Sequence, residues 1–344
     1  MNNPTTGRYK LIGANGSPYS MKMRSILRYR HLPHDWILRT TRNDALFEDV
    51  RPALIPILKL PEDNSAHVDS TKLAYLLEER HPATRSIIPS DPVQAFFSHL
   101  IEDMADEWLT KCMFHYRWMY EADIKYAMQW IIDDRYPDAN DTEREELMKA
   151  FATRQIQRMP LVGCTEKNTI AVERSYHRIL EILEGEVNSH QYLFGSRPAL
   201  ADFGLFGQLK TLATDPTPQG IMREKAQRTE SWVRLLDDAS GITGEWADDN
   251  TLTSAAKSLL VFAGDVYLPF LQANNNAQQK GQETFSLSLL GSEYEQGTFK
   301  YQAKCLQDLK ARYKALAPSD KERADPILKD AGCFKILSHE SDPS

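Results

Sequence analysis

Apolar and polar positions alternate over the first eighty residues in a way that predicts short strands separated by helices. The strand-like apolar runs lie at residues 9–13, 34–39, 55–60 and 66–68. Helical spacing of apolar residues occurs at 18–29, 44–50 and 70–79. The turn-forming residues Asp63, Asn64 and Ser65 separate the last two strands and predict a hairpin. The resulting order, β-α-β-α-β-β-α, predicts an α/β domain.

Prolines mark the end of this first unit. Three of them fall within the twelve residues that start at His81, where they prevent a continuous helix and favour extended backbone. We therefore predict a first domain at residues 1–82 and, after this linker, an all-helical domain at 93–240. Breaks in the helical pattern at 133–141 and 159–163 predict an insertion between two long helices.

A C-terminal extension at 241–344 follows the helical domain. Its apolar positions predict a helix near 252–271, a strand at 284–289 and a further helix from about 301 to 316. The polar run 272–281 holds few apolar side chains that a core could bury, so we predict a loop there. The extension is therefore expected to mix helices with irregular segments.

Composition narrows the class of partner. The net charge is −7 at pH 7, so the chain lacks the basic surface that neutralises nucleic-acid phosphates. No apolar run reaches the ~18 residues that a membrane span needs, and the first residues lack an apolar signal core, so we predict a cytoplasmic protein without a membrane partner. The four cysteines are far apart and show no metal-site spacing, so no metal is expected.

Three short motifs occur in an order that resembles the glutathione transferase family. Gly16-Ser-Pro-Tyr-Ser20 is similar to the strand-to-helix turn of the family, in which a Ser, Cys or Tyr faces a thiol. Ile55-Pro-Ile-Leu58, followed by Asp69-Ser70, resembles the Val-Pro-x-Leu and Glu/Asp-Ser elements of the glutathione site. The third motif lies at 194–203 and resembles Gly-x-x-Ser/Thr-x-Ala-Asp, the start of a helix in the second domain.

The resemblance spans about residues 8 to 240 and implies a fold class. We expect a thioredoxin-like α/β N-terminal domain, an all-α glutathione transferase C-terminal domain and the C-terminal extension. The third motif departs from the family at Ala199, where a capping Ser or Thr is usual, while Asp202 is kept. A lost cap costs about 1 kcal/mol, which a large domain can tolerate.

The resemblance also implies glutathione as a co-substrate and a set of residues around it. Ser17 is the predicted catalytic residue of a Ser-type enzyme, because a hydroxyl at a helix N-terminus stabilises a thiolate. The residues that would bind glutathione are Ser17, Ile55, Pro56, Lys59, Asp69 and Ser70. In the family the proline matching Pro56 is cis and turns the backbone of Ile55 toward the cysteinyl part. Ser70 and Asp69 would take the γ-glutamyl end, and Lys59 or Lys22 would take the glycyl carboxylate.

Each of these residues also has an ordinary structural explanation. Ser17 before Pro18 is a typical N-cap, and it can cap the helix and face a thiol at the same time. Asp69-Ser70 ahead of an apolar helical run is ordinary capping chemistry. Lysines such as Lys59 and Lys22 are usually solvated. The sequence leaves these alternatives open.

An aromatic-rich run at 108–120 falls where the family holds the second substrate. We assign an acceptor pocket for a small electrophilic molecule to Tyr19, Phe114, His115, Tyr116 and Trp118. Aromatic residues at helical spacing are equally consistent with a packed core.

Two functions follow as hypotheses. The first is a glutathione S-transferase that joins the glutathione thiolate to a small electrophile, as in detoxification, and that forms a homodimer as the family usually does. The second is a non-catalytic binding or scaffold protein that kept the fold, because fold does not settle function. The extension, with Gly297-Thr-Phe-Lys-Tyr301, resembles that of long bacterial transferase-like proteins.

Overall fold

A four-stranded sheet forms the centre of the first domain in the computed structural model, which describes residues 7–48, 50–52, 54–82, 85–186, 192–248 and 251–339. The strands are β1 (Tyr9–Gly13), β2 (His34–Leu38), β3 (Ile57–Lys59) and β4 (Ala66–Val68), in the order β2-β1-β3-β4. β1 and β2 are parallel, whereas β3 is antiparallel to both β1 and β4. The β3–β4 hairpin is confirmed.

Two helices complete the thioredoxin-like unit, α1 (Pro18–Tyr29) and α2 (Ser70–Arg80). A 3₁₀ segment at Thr41–Phe47 replaces the predicted short helix. α1 buries Met21, Met23, Ile26 and Leu27 in the core. This arrangement confirms the α/β thioredoxin-like domain. Residues 1–6 and 340–344, which belong to the predicted first domain and extension, lie outside the described residues.

The helical part begins after the proline-rich linker. Its helices are α3 (Pro92–Met104), α4 (Thr110–Met119), α5 (Glu121–Arg135), α6 (Asp141–Ile156), α7 (Thr169–Glu186), α8 (Leu200–Leu212), α9 (Pro216–Lys225) and α10 (Gln227–Asp237). A π-helical turn at Ala105–Leu109 joins α3 to α4. The break predicted at 133–141 is shorter in the structure, at 136–140 between α5 and α6, and α6 forms the inserted helix. The all-helical second domain is confirmed.

The extension contributes further helices and one hairpin. They are α11 (Ser254–Phe262), α12 (Leu268–Gln279), α13 (Lys300–Ala315), α14 (Pro318–Asp330) and α15 (Phe334–Ser338), with β5 (Thr284–Leu289) paired to β6 (Ser292–Gly297). The loop predicted at 272–281 is wrong, because α12 runs through most of it. Asn274 explains the difference: its side chain is buried, its Nδ2 donates to Phe299 O at 3.0 Å, and its Oδ1 accepts from Phe299 N at 2.8 Å.

The extension packs on the helical domain. Trp108, fully buried, lies with its ring 5.0 Å from Phe270 of α12 and 5.4 Å from Tyr294 of β6. Asp308 of α13 lies 2.9 Å from Nε2 of His99 on α3. One continuous hydrophobic core therefore includes residues of all three parts of the chain.

The helical run Ser254–Gln279 is long and apolar enough, by length and composition alone, to cross a membrane. This differs from the expectation that no apolar stretch would reach that length. Most of the run is buried within the protein, with Leu259 and Phe270 fully enclosed. A core helix passes the same test, so the run is weak evidence for a membrane.

Candidate active site

The turn between β1 and α1 positions Ser17. Its backbone is extended (φ −99°, ψ 117°), it precedes Pro18 at the first helical position, and its Oγ accepts a hydrogen bond from Ser20 N at 3.2 Å. Ser17 N in turn donates to Ala14 O at 3.0 Å, which closes the turn. Ser17 is therefore the N-cap of α1, and its half-buried hydroxyl lies at a helix end that favours negative charge.

A cavity of about 530 Å³ lies beside Ser17, between the first domain and the helical domain. The first domain contributes Ala14, Gly16, Ser17, Leu38, Arg39 and Ile55. The helical domain contributes Met113, Phe114, Arg117 and Trp118 of α4, Trp130, Ile131, Asp134 and Arg135 of α5, the following Tyr136, and Phe151, Arg154 and Gln155 of α6. This volume is within the usual range of small-molecule sites.

Four of the residues predicted from the sequence line this cavity together: Ser17 and Ile55 on one side, Phe114 and Trp118 on the other. Phe114 and Trp118 are one helical turn apart, with ring centroids 6.2 Å from each other, and Phe151 lies 6.1 Å from Trp118. An aromatic wall therefore faces the start of α1 across the cavity.

Three predicted acceptor-pocket residues are placed elsewhere. Tyr19 donates its hydroxyl to Asp106 O at 3.0 Å. His115 is fully buried, with its Nε2 3.1 Å from a carboxylate oxygen of Glu173, and Tyr116 is almost as deeply buried. On α4, positions 115 and 116 point away from the face that carries 114 and 118, so these side chains form core rather than cavity wall.

The residues predicted to hold the ends of glutathione are not gathered in this cavity. The Ile55–Pro56 bond is cis, as the resemblance implies, but Pro56 itself is buried. Lys59 donates to Leu46 O at 2.5 Å in a separate surface recess. Asp69 caps α2 by accepting from Lys72 N at 3.4 Å.

Ser70 belongs to a buried charge cluster. Its hydroxyl donates to Asp106 Oδ2 at 3.2 Å and lies 3.3 Å from the ammonium of Lys22. Lys22 is fully buried and also contacts Glu102 and, at 2.7 Å, Asp106. Burial opposes the charge on Lys22, but Asp106 and Glu102 outweigh it and raise the pKa of Lys22. Burial raises the pKa of Asp106 to about 7. Lys22 thus joins the two domains.

Arginines are the cavity residues that the sequence reasoning missed. Arg39, Arg117, Arg135 and Arg154 all line it. The nearly buried Arg117 donates its Nε to Asp215 at 2.7 Å and its Nη1 to Gly16 O at 2.8 Å, and thereby ties α4 to the Ser17 turn. Helical spacing could have indicated these residues. The cavity positions 113, 114, 117 and 118 form one face of α4, and the positions 130, 131, 134 and 135 form one face of α5.

Nucleophiles of the protein itself are scarce around the cavity. All four cysteines are buried free thiols, none lines the cavity, and burial raises the pKa of Cys164 and Cys333 to about 12. Among the described residues, no group of three or more His, Cys, Asp or Glu side chains is arranged to hold a metal ion. A sulfur nucleophile would therefore have to arrive with a substrate.

A family model for the N-terminal domain of glutathione S-transferase matches residues 11–85. The match contains all of the sheet except the first two residues of β1, together with the Ser17 turn and the cis Ile55–Pro56 bond. The chain begins with a glutathione transferase N-terminal domain. This transferase-type domain is followed by the largely helical domain and the extension.

Solved structures of a β-etherase and of glutathione transferases resemble this chain at low identity. The β-etherase LigF from Sphingobium sp. is 18% identical with a TM-score of 0.46, over 67% of this chain and 94% of that one. A glutathione transferase from Phanerochaete chrysosporium is 15% identical with a TM-score of 0.45, over 67% and 96%. One from Ceriporiopsis subvermispora, in complex with glutathione, is 13% identical with a TM-score of 0.44, over 67% and 98%. No protein of curated function matches the sequence.

Proposed function

We propose that the protein is a glutathione S-transferase that joins the thiolate of glutathione to a small electrophile. The observation that carries the proposal is the cavity beside Ser17. The first domain contributes the N-terminus of α1 to one side of it, and the helical domain contributes an aromatic wall to the other. Glutathione would occupy the side of Ser17 and Ile55, and the electrophile the side of Phe114 and Trp118. Holding the two reactants in one cavity supplies the positioning on which such reactions depend.

Ser17 would activate the thiol. Its Oγ already accepts from Ser20 N, so its O–H hydrogen is the group left to donate to a sulfur anion in the cavity. A thiol with a pKa of about 8.5 is only ~3% ionised at pH 7, and lowering that pKa by about two units is worth ~2.7 kcal/mol. The hydroxyl and the end of α1 would share this task.

In the proposed reaction the thiolate sulfur forms a bond to an electrophilic carbon, and the leaving group departs with the electron pair of the bond that breaks. The thiol proton goes to solvent before attack, because the thiolate is the reacting form. No protein nucleophile is required, which agrees with a cavity wall that contains no cysteine.

The surroundings of Asp69 and Ser70 favour a second candidate, a non-catalytic protein that kept the fold. Ser70 is 6% exposed and its hydroxyl already contacts Asp106 and Lys22, while the carboxylate of Asp69 accepts from Lys72 N. A γ-glutamyl group would have to displace these contacts to bind there. This arrangement is one a scaffold protein could keep without loss.

Homodimer formation and a cytoplasmic location stay predictions from the resemblance. The extension already occupies part of α2 and α3, where Arg312 lies 4.9 Å from the ring of Tyr75 and Asp308 contacts His99. A dimer would have to use other surfaces of the chain.

The test combines binding with turnover. Titration calorimetry of the purified protein with glutathione measures affinity, and 1-chloro-2,4-dinitrobenzene serves as the probe electrophile. We expect Ser17→Ala to change glutathione affinity by less than about threefold but to lower kcat/KM by about 10- to 100-fold, as a thiol pKa raised by one to two units requires. The apparent pKa in the pH profile of kcat/KM should rise by the same one to two units.

Ser17→Thr is the matched control, because it keeps the hydroxyl and the capping acceptor. It should retain most of the turnover. Unchanged turnover in Ser17→Ala would remove Ser17 from the mechanism, whereas absence of glutathione binding in the unaltered protein would favour the non-catalytic candidate.

A further inference from the structure

The cavity wall carries more hydrogen-bond donors than its neighbours satisfy. Arg117 is 3% exposed, and its Nη2 is buried without a hydrogen-bond partner among the described residues although its other nitrogens bind Asp215 and Gly16. Arg39 Nε and Arg135 Nη1 are also buried without a hydrogen-bond partner, although Arg39 Nε lies within ion-pair distance of Asp44, 3.8 Å from its Oδ1. Trp130 Nε1 is a fourth such atom. Among the described lining residues, every buried side-chain polar atom without a hydrogen-bond partner is thus an N–H donor, and each of these four atoms lies beneath the cavity surface rather than open to it.

Acceptors in the wall are few. Asp134 is the one carboxylate among the described lining residues, and its Oδ2 already accepts from Asn15 Nδ2 at 2.9 Å. The charge of Arg135 is balanced by Asp44 at 2.7 Å, and that of Arg117 by Asp215. Arg154 is exposed and has no ion pair within the described part of the chain. Four arginines and one carboxylate give the described lining an excess of positive charge, which is complementary to an anionic ligand with acceptor oxygens.

The apolar part of the same cavity is aromatic. Phe114, Trp118 and Phe151 stand in contact along one side, and the guanidinium of Arg117 lies 5.6 Å from the ring of Trp130. Flat aromatic ligands pack well between such rings, and arginine forks match the two oxygens of a carboxylate. One ligand class meets both requirements.

We infer that the electrophile of the proposed reaction is an aromatic carboxylic acid, with its ring against Phe114, Trp118 and Phe151 and its carboxylate paired with the cavity arginines. The inference rests on the proposed function, because it names the second substrate of that reaction. It also gives a role to the arginines on α5 and α6, which the attack of the thiolate does not require.

The test compares two probes of nearly equal shape, 2-naphthoate and neutral 2-naphthamide, titrated against the full-length protein in the presence and absence of glutathione. We expect the naphthoate to bind about tenfold more tightly than the amide, since charge-assisted hydrogen bonds are the stronger ones. Arg154→Gln should remove most of that preference and change amide affinity by less than about twofold.

Arg158→Gln is the matched control, because Arg158 is exposed just beyond α6 and does not line the cavity. It should leave both affinities unchanged. Equal binding of the two probes, or equal effects of the two substitutions, would overturn the inference.

The titrations with glutathione present show whether the arginines bind the carboxylate of the aromatic acid or the carboxylates of glutathione itself. If glutathione displaces naphthoate and Arg154→Gln weakens glutathione binding, the arginines serve the carboxylates of glutathione; the inference then fails while the proposed function stands. If naphthoate binding depends on Arg154 but glutathione does not bind, the ligand class stands and the proposed transferase reaction fails.

Discussion

Asp202 holds the start of α8, although Ala199 at the N-cap has no side-chain acceptor. Its Oδ2 accepts from Ala199 N at 2.8 Å and its Oδ1 accepts from Leu193 N at 3.1 Å. Asp202 is fully buried, and this burial raises the pKa of its carboxyl to about 7, although the two N–H groups act in the opposite direction. Asp202 therefore fixes the backbone that leads into α8, while no Ala199 side-chain acceptor is present for the N–H groups of the first helical turn.

This raised pKa predicts a pH dependence of stability. Between pH 4 and pH 7 the folded protein holds a proton on Asp202 that the unfolded chain has released, so the free energy of unfolding falls as the pH rises through this window. Asp202→Asn removes the titration. We expect its unfolding free energy to depend less on pH over this range, by on the order of 1–3 kcal/mol, in urea titrations at several pH values.

Asp330→Asn, at an exposed position, serves as the control for loss of one carboxylate. The amide at 202 also weakens one cap hydrogen bond, which shifts stability by a similar amount at every pH. Only the slope tests the prediction, and a slope equal to that of the unaltered protein would contradict it.

Single residues of the candidate site differ in how far the sequence predicts them. Ser17 could be predicted because the Ser-Pro start signal and the family resemblance coincide at one position. Arg117 could not, because an arginine in a helix is usually solvated and its partners Asp215 and Gly16 are about a hundred residues away. Residues that act through distant contacts leave little local signal.

Between elements, α1 and α8 approach closely at one glycine. A methyl group on Gly207 would lie 2.5 Å from the backbone oxygen of Pro18, the residue after Ser17. The absence of a side chain at 207 therefore allows α8 to support the first turn of α1. The position of Ser17 depends on this contact.

We expect Gly207→Ala to lower the free energy of unfolding by about 1–3 kcal/mol, because the added carbon forces the helices apart. The reference is Gly220→Ala in α9, where the added carbon meets nothing within 4 Å. That change should stabilise the protein by about 0.5–1 kcal/mol through helix propensity. Equal effects of the two substitutions in thermal or urea unfolding would show that close packing at 207 does not matter.

Elements were predictable where local chemistry decides them. The β3–β4 hairpin and the break after α5 follow from turn residues and proline, which act on their own backbone. The helix through 272–279 could not be read from composition, because Asn274 is buried against the backbone of Phe299, which lies twenty-five residues further along the chain. A polar side chain with a distant partner looks like a loop residue in the sequence.

On the scale of the whole molecule, the extension belongs to the same core as the helical domain. Trp108, at the π-helical turn between α3 and α4, has Phe270 and Tyr294 of the extension as ring neighbours, and Ser175 Oγ accepts its Nε1–H at 3.0 Å. The interior of the helical domain is thus completed by residues that lie more than 150 positions after Trp108 in the sequence. An extension of this kind should unfold together with the domain that it completes.

Phe270→Ala tests this cooperativity. The ring is fully buried, so its loss should lower the free energy of unfolding by about 3–5 kcal/mol. In urea titrations, far-UV circular dichroism and tryptophan fluorescence should shift together in a single transition, because the cavity opens beside Trp108. Phe299→Ala is the control: that ring is 52% exposed, and its removal should change stability by no more than about 0.5 kcal/mol. Two separate transitions, with only the earlier one shifted by Phe270→Ala, would mean that the extension folds as an independent unit and that the helical domain holds its own core without it.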